Sequence, residues 1–226
     1  MKTFLFLLFP LYLFSQEINY GLKGGITNTA LIANKDDSSI TTYPLPSFYV
    51  GGYAEYKVRK NSFQVDVLYE NNLFRVRNTY FSRRDNYRIW YPDYRKNISI
   101  HKIALPLSYK IHFTRRFALS MGEITDFRLY TRSKSDQNTS LYDYEDAFGS
   151  INGTNNISSL LKPIDVSIFV GVNLYFSQRF FADARLSFST IDMLKSPEYN
   201  YTNVRFNIGF NYRLNNHKIK LKKEKE

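Results

Sequence analysis

The 226-residue chain contains no cysteine and only three histidines. The missing cysteines exclude disulfides, a thiolate nucleophile, cysteine-ligated metals and a lipid anchor on a cysteine. Three histidines are also too few to suggest a histidine-rich metal site. We therefore expect neither a bound metal nor a cofactor.

Long apolar runs are missing beyond the N-terminus, although 43% of the residues are hydrophobic. The mean hydropathy is −0.39, and no segment after residue 16 has the length of about 20 apolar residues that a transmembrane helix needs. The chain nonetheless carries 19 tyrosines and 19 phenylalanines. Large aromatic side chains without apolar runs are typical of β-strands.

The one apolar stretch is at the N-terminus, in residues 1–16, MKTFLFLLFPLYLFSQ. Lys2 precedes an apolar core that runs from Phe4 to Phe14, which is the pattern of a secretory signal peptide. The core is too short for a spanning helix, and Pro10 weakens such a helix further. We expect an exported protein, with an uncleaved membrane anchor as the alternative.

The rest of the chain alternates apolar and polar residues with the period of a β-strand. Each alternating segment has about ten residues or more, the length that a tilted strand needs to cross a bilayer. The pattern predicts an all-β fold, an eight-stranded antiparallel up-and-down transmembrane β-barrel over residues 17–214, with no second domain. The predicted strands are 19–31, 47–58, 63–74, 98–113, 117–131, 164–176, 180–188 and 203–214.

The connections between these segments alternate in size. Tight breaks occur near 59–62, 114–116 and 177–179, whereas the connections at 32–46, 72–97, 132–160 and 190–202 are long and polar. Short periplasmic turns opposite long extracellular loops are typical of barrels in the outer membrane. We therefore expect the protein in the cell outer membrane. The alternative is a soluble, lipocalin-like barrel, which requires an apolar interior and a polar exterior.

Acidic and basic residues share the polar face of the predicted strands. An eight-stranded barrel has an interior just wide enough to be filled by side chains, and opposite charges can pair there, which offsets their loss of hydration. We predict a polar network in the lumen and an apolar, lipid-facing exterior. The predicted lumen residues are Glu55, Lys57, Asp66, Glu70, Lys102, Lys110, Asp165, Asp183, Arg185, Arg205 and Arg213.

The order of five segments resembles the PorT-like outer-membrane β-barrel domain of Bacteroidota, over about residues 18–214. These segments are YGLKGGITNTAL, GGYAEYKVRKNSFQVDVLYE, HKIALPLSYKIHF, GVNLYFSQRFFADARLSFS and NVRFNIGFNYRL. The resemblance implies an eight-stranded barrel in the outer membrane. It implies little about activity, although the group is named for a member linked to secretion and motility.

The C-terminal segment 215–226, NNHKIKLKKEKE, departs from that resemblance, because such barrels usually end on their last strand. It contributes to a formal net charge of +11 for the whole chain. Basic, low-complexity segments are usually solvated, so we expect a disordered periplasmic tail. A docking segment for an acidic partner or for phospholipid head groups is the alternative.

The loop region 74–97 interleaves arginines with aromatic residues. Such a pattern can bind single-stranded nucleic acid, but the export signal argues against a nucleic-acid partner. Arginine also binds phosphates and carboxylates bidentately, so contact with lipopolysaccharide or other anionic lipids is our hypothesis. The alternative is an extension of the third strand followed by a mobile loop. The residues concerned are Arg75, Arg77, Arg83, Arg84 and Arg88.

Ser99 and His101 lie two residues apart, on one face of the fourth predicted strand near its outer end. A Ser–His pair with a carboxylate could perform acyl transfer, but no carboxylate partner is identified and the spacing is common.

We therefore predict a non-enzymatic outer-membrane barrel with a filled lumen and a structural or interaction role at the cell surface, with a secretion role left open. The expected partners are outer-membrane lipids, lipopolysaccharide and the barrel-insertion machinery, and we expect a monomer. One alternative is a lipid-modifying hydrolase or acyltransferase that uses the rim Ser/His pair. A narrow channel is disfavoured, because eight strands leave no aqueous lumen.

Overall fold

The structure is a computed structural model that describes residues 16–33, 40–78, 81–84, 87–90, 94–135, 145–146, 149–150, 154–191 and 201–219. Residues 1–15 of the predicted signal peptide lie outside the described residues. Eight long strands make up the fold. Their bounds are β1 (Gln16–Ala33), β2 (Ile40–Val58), β3 (Asn61–Asn78), β4 (Tyr94–His112), β5 (Phe117–Ser135), β6 (Ile164–Tyr175), β7 (Phe180–Ser189) and β8 (Tyr201–Ile219).

The eight strands form a closed antiparallel ring in which each strand pairs with its neighbours in the chain. The ring closes where β8 pairs with β1, in a register that joins Gln16 to Ile219 and Ala33 to Tyr201. Closure satisfies the backbone hydrogen bonds of every strand, which a sheet in lipid requires because no water is available there. The prediction of an eight-stranded up-and-down barrel is confirmed.

In the described part of the chain, five short strands and one turn of 3-10 helix accompany the ring. Phe81–Arg84 pairs with Tyr87–Trp90 in a small hairpin, Glu145–Asp146 pairs with Gly149–Ser150, and Thr154–Asn156 adds to the edge of β5. A single turn of 3-10 helix at Ser158–Leu160 follows. No helix among the described residues is long and apolar enough to span a membrane.

Several strands extend further outward than the alternation predicts. Residues 40–46 and 75–78, predicted as loop, continue β2 and β3, and residues 94–97 begin β4. Backbone pairing continues there although the apolar–polar alternation fades, because ladder hydrogen bonds do not depend on side-chain polarity. The predicted long connection at 32–46 is therefore reduced to residues 34–39.

The last strand also ends later than expected. Asn215–Ile219, placed in the predicted disordered tail, pairs with Gln16–Tyr20 of β1. The physical reason is that the first residues of β1 need a partner on that side of the ring. Only residues 220–226 of the predicted tail remain, and they lie outside the described residues.

The outer surface of the barrel is an apolar band. On β6, outward side chains such as Ile168 and Val170 are more than half exposed (57% and 58%), and they alternate with buried Ser167 and Phe169. Aromatic pairs lie close to the periplasmic turns, for example Phe180 and Tyr212, with ring centroids 4.9 Å apart. An apolar band edged by aromatic residues is the exterior that a bilayer requires.

Glu123 interrupts this band on β5. Its side chain is exposed on the outer face, and its ladder neighbours are Leu107 on β4 and Ile168 on β6. It lies midway between Phe117, at the periplasmic turn, and Leu129, near the outer end of the apolar band. A carboxyl at this depth faces the hydrocarbon core, where polar groups are costly.

We expect two lipid-face variants to change stability in opposite directions. Replacing Glu123 with Leu should raise the free energy of unfolding by about 1 kcal/mol, whereas Val170→Arg should lower it by about 2–4 kcal/mol. Thr190→Arg, just beyond the outer end of β7, should cost about 1 kcal/mol or less. Urea unfolding in lipid vesicles measures all three, and equal effects of Val170→Arg and Thr190→Arg would contradict the depth assignment.

Candidate functional site

The lumen gathers ionisable side chains from all eight strands. Of the predicted lumen residues, all are buried except Lys57, which is half-buried at the periplasmic mouth. Most of them belong to three clusters along the barrel axis, named here the outer (toward the extracellular end), central and periplasmic clusters. Each cluster connects strands that are not neighbours in the ring.

The outer cluster consists of Glu70 on β3, Lys102 on β4, Asp126 on β5 and Arg205 on β8. The Arg205 guanidinium donates through Nη1 to Glu70 Oε2 at 2.7 Å and through Nη2 to Asp126 Oδ2 at 2.9 Å. Lys102 Nζ lies 2.6 Å from Asp126 Oδ2 and 3.3 Å from Glu70 Oε2. Two cations and two carboxylates thus form a neutral ring that joins four strands.

The central cluster likewise contains one lysine, one arginine and two carboxylates. Lys23 Nζ on β1 lies 3.2 Å from Asp66 Oδ2 on β3 and 3.1 Å from Asp183 Oδ1 on β7. Arg185 on β7 contacts the same two carboxylates, at 2.8 Å for Asp66 and 3.0 Å for Asp183. Asn211 Nδ2 adds a hydrogen bond of 2.6 Å to Asp183. This cluster is also neutral.

The periplasmic cluster is centred on Glu55 of β2. Lys110 Nζ lies 3.4 Å from Oε1 and Arg213 Nη2 lies 3.2 Å from Oε2 of this carboxylate. The Ser62 hydroxyl donates to Oε1 at 2.9 Å, and Asn19 Nδ2 donates to Oε2 at 3.3 Å. With two cations for one carboxylate, this cluster carries net positive charge.

Asp165, also predicted in the lumen, belongs to none of the three clusters. Its carboxylate accepts a 2.5 Å hydrogen bond from the Ser189 hydroxyl. The two residues lie at the outer ends of β6 and β7, and Asp165 is the register partner of Asp126, beside the outer cluster.

Charge pairing explains how so many ionised groups can be buried. Removing an ion from water costs several kcal/mol, and only close pairing with additional hydrogen bonds offsets that cost. Arginine is well suited to this, because its planar fork can bind two carboxylates at once. Arg205 and Arg185 each do so, in the outer and central clusters.

Two members of these clusters are absent from the sequence-based set, Lys23 and Asp126. Lys23 shares a strand face with Asn19 and Thr27, which are also buried. The period-2 pattern of β1 was therefore sufficient to place Lys23 in the lumen. Asp126 lies on β5, the least regular predicted strand, where a register shift follows on the outer side. Such a shift disturbs the alternation from which faces are read.

Apolar and aromatic side chains fill the space between the charged clusters. A buried cluster inside the barrel contains Tyr49, Leu68, Ala104, Ile124 and Phe169. The Tyr49 ring fits because Gly209 has no side chain: a Cβ there would lie 2.9 Å from Tyr49 Cζ. The lumen is therefore less uniformly polar than predicted. Alternation shows which residues share a strand face, but an inward-facing residue can be polar or apolar.

Apolar side chains also lie at the extracellular end of the lumen, beside buried polar ones such as Lys96 and Ser133. Phe74 on β3 faces inward opposite Ile98 on β4, and both side chains are fully buried. Ile157 and Leu161, from the segment before β6, are buried as well. The Ile157 amide donates to the Thr131 carbonyl at 3.2 Å, which anchors this segment to β5.

Little empty space remains beside the outer cluster. A cavity of about 10 Å³ lies there, lined by Lys102, Asp126, Arg128 and Asp165 among others. That volume is near the minimum for one water molecule. The described part of the lumen beside this cluster is therefore filled by side chains.

Ser99 and His101 are brought together on the outer face of β4. Ser99 Oγ lies 3.1 Å from His101 Nε2, and Tyr69 Oη lies 2.6 Å from His101 Nδ1. The imidazole also stacks on Tyr130, with ring centroids 4.2 Å apart. The group that contacts Nδ1 is therefore a phenol, whereas a catalytic triad places a carboxylate there.

The hydrogen bonds around Ser99 do not activate its hydroxyl as a nucleophile. Its hydroxyl donates to Asn71 Oδ1 at 2.9 Å, so its oxygen accepts from His101 Nε2–H. Nδ1 then accepts the hydroxyl of Tyr69. The roles of the two ring nitrogens depend on the tautomer; in the Nε2–H tautomer, which the donation from Ser99 to Asn71 favours, Nε2 cannot take a proton from the serine, which a general base must do.

The arginine-rich region 74–97 is described in part. Arg75 Nε donates to Asn97 Oδ1 at 2.9 Å across the outer ends of β3 and β4. Arg75 and Arg77 belong to β3, which extends as the alternative for this region proposed, and Arg83 and Arg88 are opposite each other in the backbone register of the small hairpin. The side chains of Arg77, Arg83, Arg84 and Arg88 lie outside the described residues.

We expect Arg205→Met to lower the free energy of unfolding by about 3 kcal/mol or more, because it leaves two buried carboxylates with one cation. The double variant Arg205→Met/Glu70→Gln should recover part of that loss, since it restores neutrality. Arg132→Met, at the exposed outer end of β5, should cost about 1 kcal/mol or less. Urea unfolding in vesicles measures each value, and no recovery in the double variant would contradict the charge-pairing account.

Comparison with known proteins places the chain in a family. Residues 14–195 match the family described as outer membrane protein beta-barrel domain. Comparison with curated protein sequences finds no match.

Among solved structures, the chain is similar to Ail, the attachment invasion locus protein of Yersinia pestis, with a TM-score of 0.44 and 10% identity over 89% of this chain and 100% of that one. It is also similar to Neisserial surface protein A, with a TM-score of 0.45 and 11% identity over 85% and 96% of the two chains. OprG from Pseudomonas aeruginosa gives a TM-score of 0.38 and 11% identity over 89% and 96%. Because the family match spans most of the chain and the strands close into a ring with an apolar exterior, the protein belongs to the outer membrane protein β-barrel domain family and is integral to the outer membrane.

Proposed function

We propose that this barrel is non-enzymatic and has a structural or interaction role at the cell surface. The observation that carries the proposal is the outer cluster, in which Arg205 bridges Glu70 and Asp126 across the lumen. A barrel whose interior is occupied by paired charges offers no free route for a solute, so its function is expected at its ends and on its outer surface.

The ring of strands supports an interaction role at the extracellular end. β3 and β4 pair from the periplasmic turns up to the register partners Asn78 and Tyr94, well above the apolar band. Extended pairing of this kind gives the connecting segments a rigid base, and loops on rigid scaffolds are where binding residues concentrate. A binding role at the cell surface would involve the extracellular ends of β3 and β4 and the segments that they support.

Contact with anionic lipids is part of the proposal. Arg75 lies on the outward side of β3, and Arg132 is exposed on β5 at a similar distance from the turns. Guanidinium groups at this height face the phosphates of lipopolysaccharide and can bind them bidentately. The remaining residues of the hypothesis are Arg77, Arg83, Arg84 and Arg88.

The finer family assignment is also proposed. The order of the segments quoted from the sequence favours the PorT-like group of Bacteroidota, and the N-terminal residues 1–16 favour export through a signal peptide. A secretion-related role would follow from that resemblance. We further propose a monomer, because a closed ring leaves no strand edge for pairing with a second copy, and insertion by the barrel-insertion machinery.

A second candidate function is lipid hydrolysis or acyl transfer at Ser99. The favouring observation is the distance of 3.1 Å between Ser99 Oγ and His101 Nε2, on the outer face of the barrel. The donation from Ser99 to Asn71 and the absence of a carboxylate from the hydrogen bonds described for His101 favour the structural interpretation. We therefore rank this candidate second.

Mass spectrometry of outer-membrane lipids separates the two candidates. Cells that express the wild-type protein, Ser99→Ala or no protein should have the same lipid A and phospholipid species, because Ser99 is not activated. Tyr69→Phe, which removes the phenol contact of His101, serves as a second variant. A new lipid species that requires Ser99 and diminishes in Tyr69→Phe would overturn the non-enzymatic proposal.

A further inference from the structure

A concave surface lies at the periplasmic mouth of the barrel, at the opposite end from the extracellular segments. It is an open cavity of about 310 Å³ that lies beneath the periplasmic cluster. The side chains around it come from the ends of β2, β4, β6 and β8 and from two turns. They are Lys57, His112, Arg115, Arg116, Tyr175, Phe176, Ser177, Gln178 and Arg213.

The lining of this cavity is strongly basic. Lys57, Arg115, Arg116 and Arg213 contribute four cations, and no carboxylate among the described residues lines it. The nearest described carboxylate is Glu55, which lies deeper and is already contacted by Lys110 and Arg213. Glu17 is opposite Lys57 in the register of β1 and β2 but is not part of the lining. The cavity therefore retains a large excess of positive charge.

Backbone hydrogen bonds fix the main chain from which these side chains project. The Tyr175 amide donates to the Arg116 carbonyl at 2.8 Å, and the Arg213 amide donates to the Arg179 carbonyl at 2.8 Å. The His112 amide similarly donates to the Lys60 carbonyl at 2.7 Å. Each bond ties a turn to the neighbouring strand. The cations thus project from a rigid frame, and a rigid site loses less conformational entropy when a ligand binds.

The cavity opens along the barrel axis rather than toward lipid. Lys57, His112, Tyr175 and Arg213 occupy inward-facing positions on their strands, whereas the lipid-facing positions next to them carry residues such as Phe113. Annular lipid head groups surround the outside of the barrel. A ligand of this cavity would approach from the periplasm.

We propose that the periplasmic mouth binds a small soluble oxyanion with at least two negative charges on phosphate or carboxylate groups. Arginine forks match both groups geometrically, and two adjacent arginines from one turn can bind such an anion together. A volume of about 310 Å³ is at the lower end of the range for ligand pockets. This site is at the opposite end of the barrel from the surface role and does not depend on it.

Titration calorimetry on the full-length mature chain in phosphatidylcholine nanodiscs tests this site, with inorganic pyrophosphate and citrate as probes. We expect saturable binding of at least one probe to the wild type. Arg115→Ala/Arg116→Ala should weaken that binding about tenfold or more, since charge-assisted hydrogen bonds are lost. Arg179→Ala changes a cation in the neighbouring turn that does not line the cavity and should change affinity less than about twofold.

Heat-modifiable gel migration would establish that each variant is folded. Absence of saturable binding to the folded wild type would overturn the proposal, as would an equal loss in Arg179→Ala, which indicates only a diffuse basic surface. A third arm replaces about a third of the phosphatidylcholine with phosphatidylglycerol. If this lipid abolishes pyrophosphate binding at constant ionic strength, head groups rather than a soluble anion occupy the mouth, and the proposal is wrong.

Discussion

The structure depends on the pairing of charges inside a ring that has no free edge. The bilayer forces the sheet to close, because no water is available to satisfy an open strand. Closure with eight strands leaves an interior that side chains must fill. Alternation places acidic and basic residues there, and their burial is tolerable only in nearly neutral groups. Lys23, Asp66, Asp183 and Arg185 form one such group, and each carboxylate in it contacts both cations.

The same constraint assigns different properties to the two ends of the barrel. At the extracellular end, buried Phe74 and Ile98 follow the outer cluster, beside buried polar side chains such as Lys96 and Ser133. At the periplasmic end, Glu55 is outnumbered by Lys110 and Arg213, and further cations lie in the turns. The outer and central clusters are thus neutral, whereas positive charge accumulates at the periplasmic end, where Lys57 is half-buried and Arg115 and Arg116 are exposed.

The sequence predicts the architecture well, because alternation over long strands and alternating connection lengths are both local signals. It places residues such as Arg205 and Glu70 on the inner face, but not in contact. They are 135 positions apart, and only the closed ring brings them together. Lys23 was missed although its alternation was regular, whereas Asp126 lies near a register shift. The burial of Phe74 and Ile98 at the outer end could not be predicted from alternation. An apolar residue is compatible with the lumen face as well as with the lipid face.

The most direct test of the charge-paired, filled lumen is single-channel recording in planar bilayers. With the wild-type protein inserted, we expect no steady conductance, because the paired side chains of Arg205 and Lys102 occupy the lumen together with Glu70 and Asp126. Removal of the cations in Arg205→Ala/Lys102→Ala should produce measurable conductance or an unstable barrel. Steady, ohmic conductance of the folded wild-type protein would contradict the account.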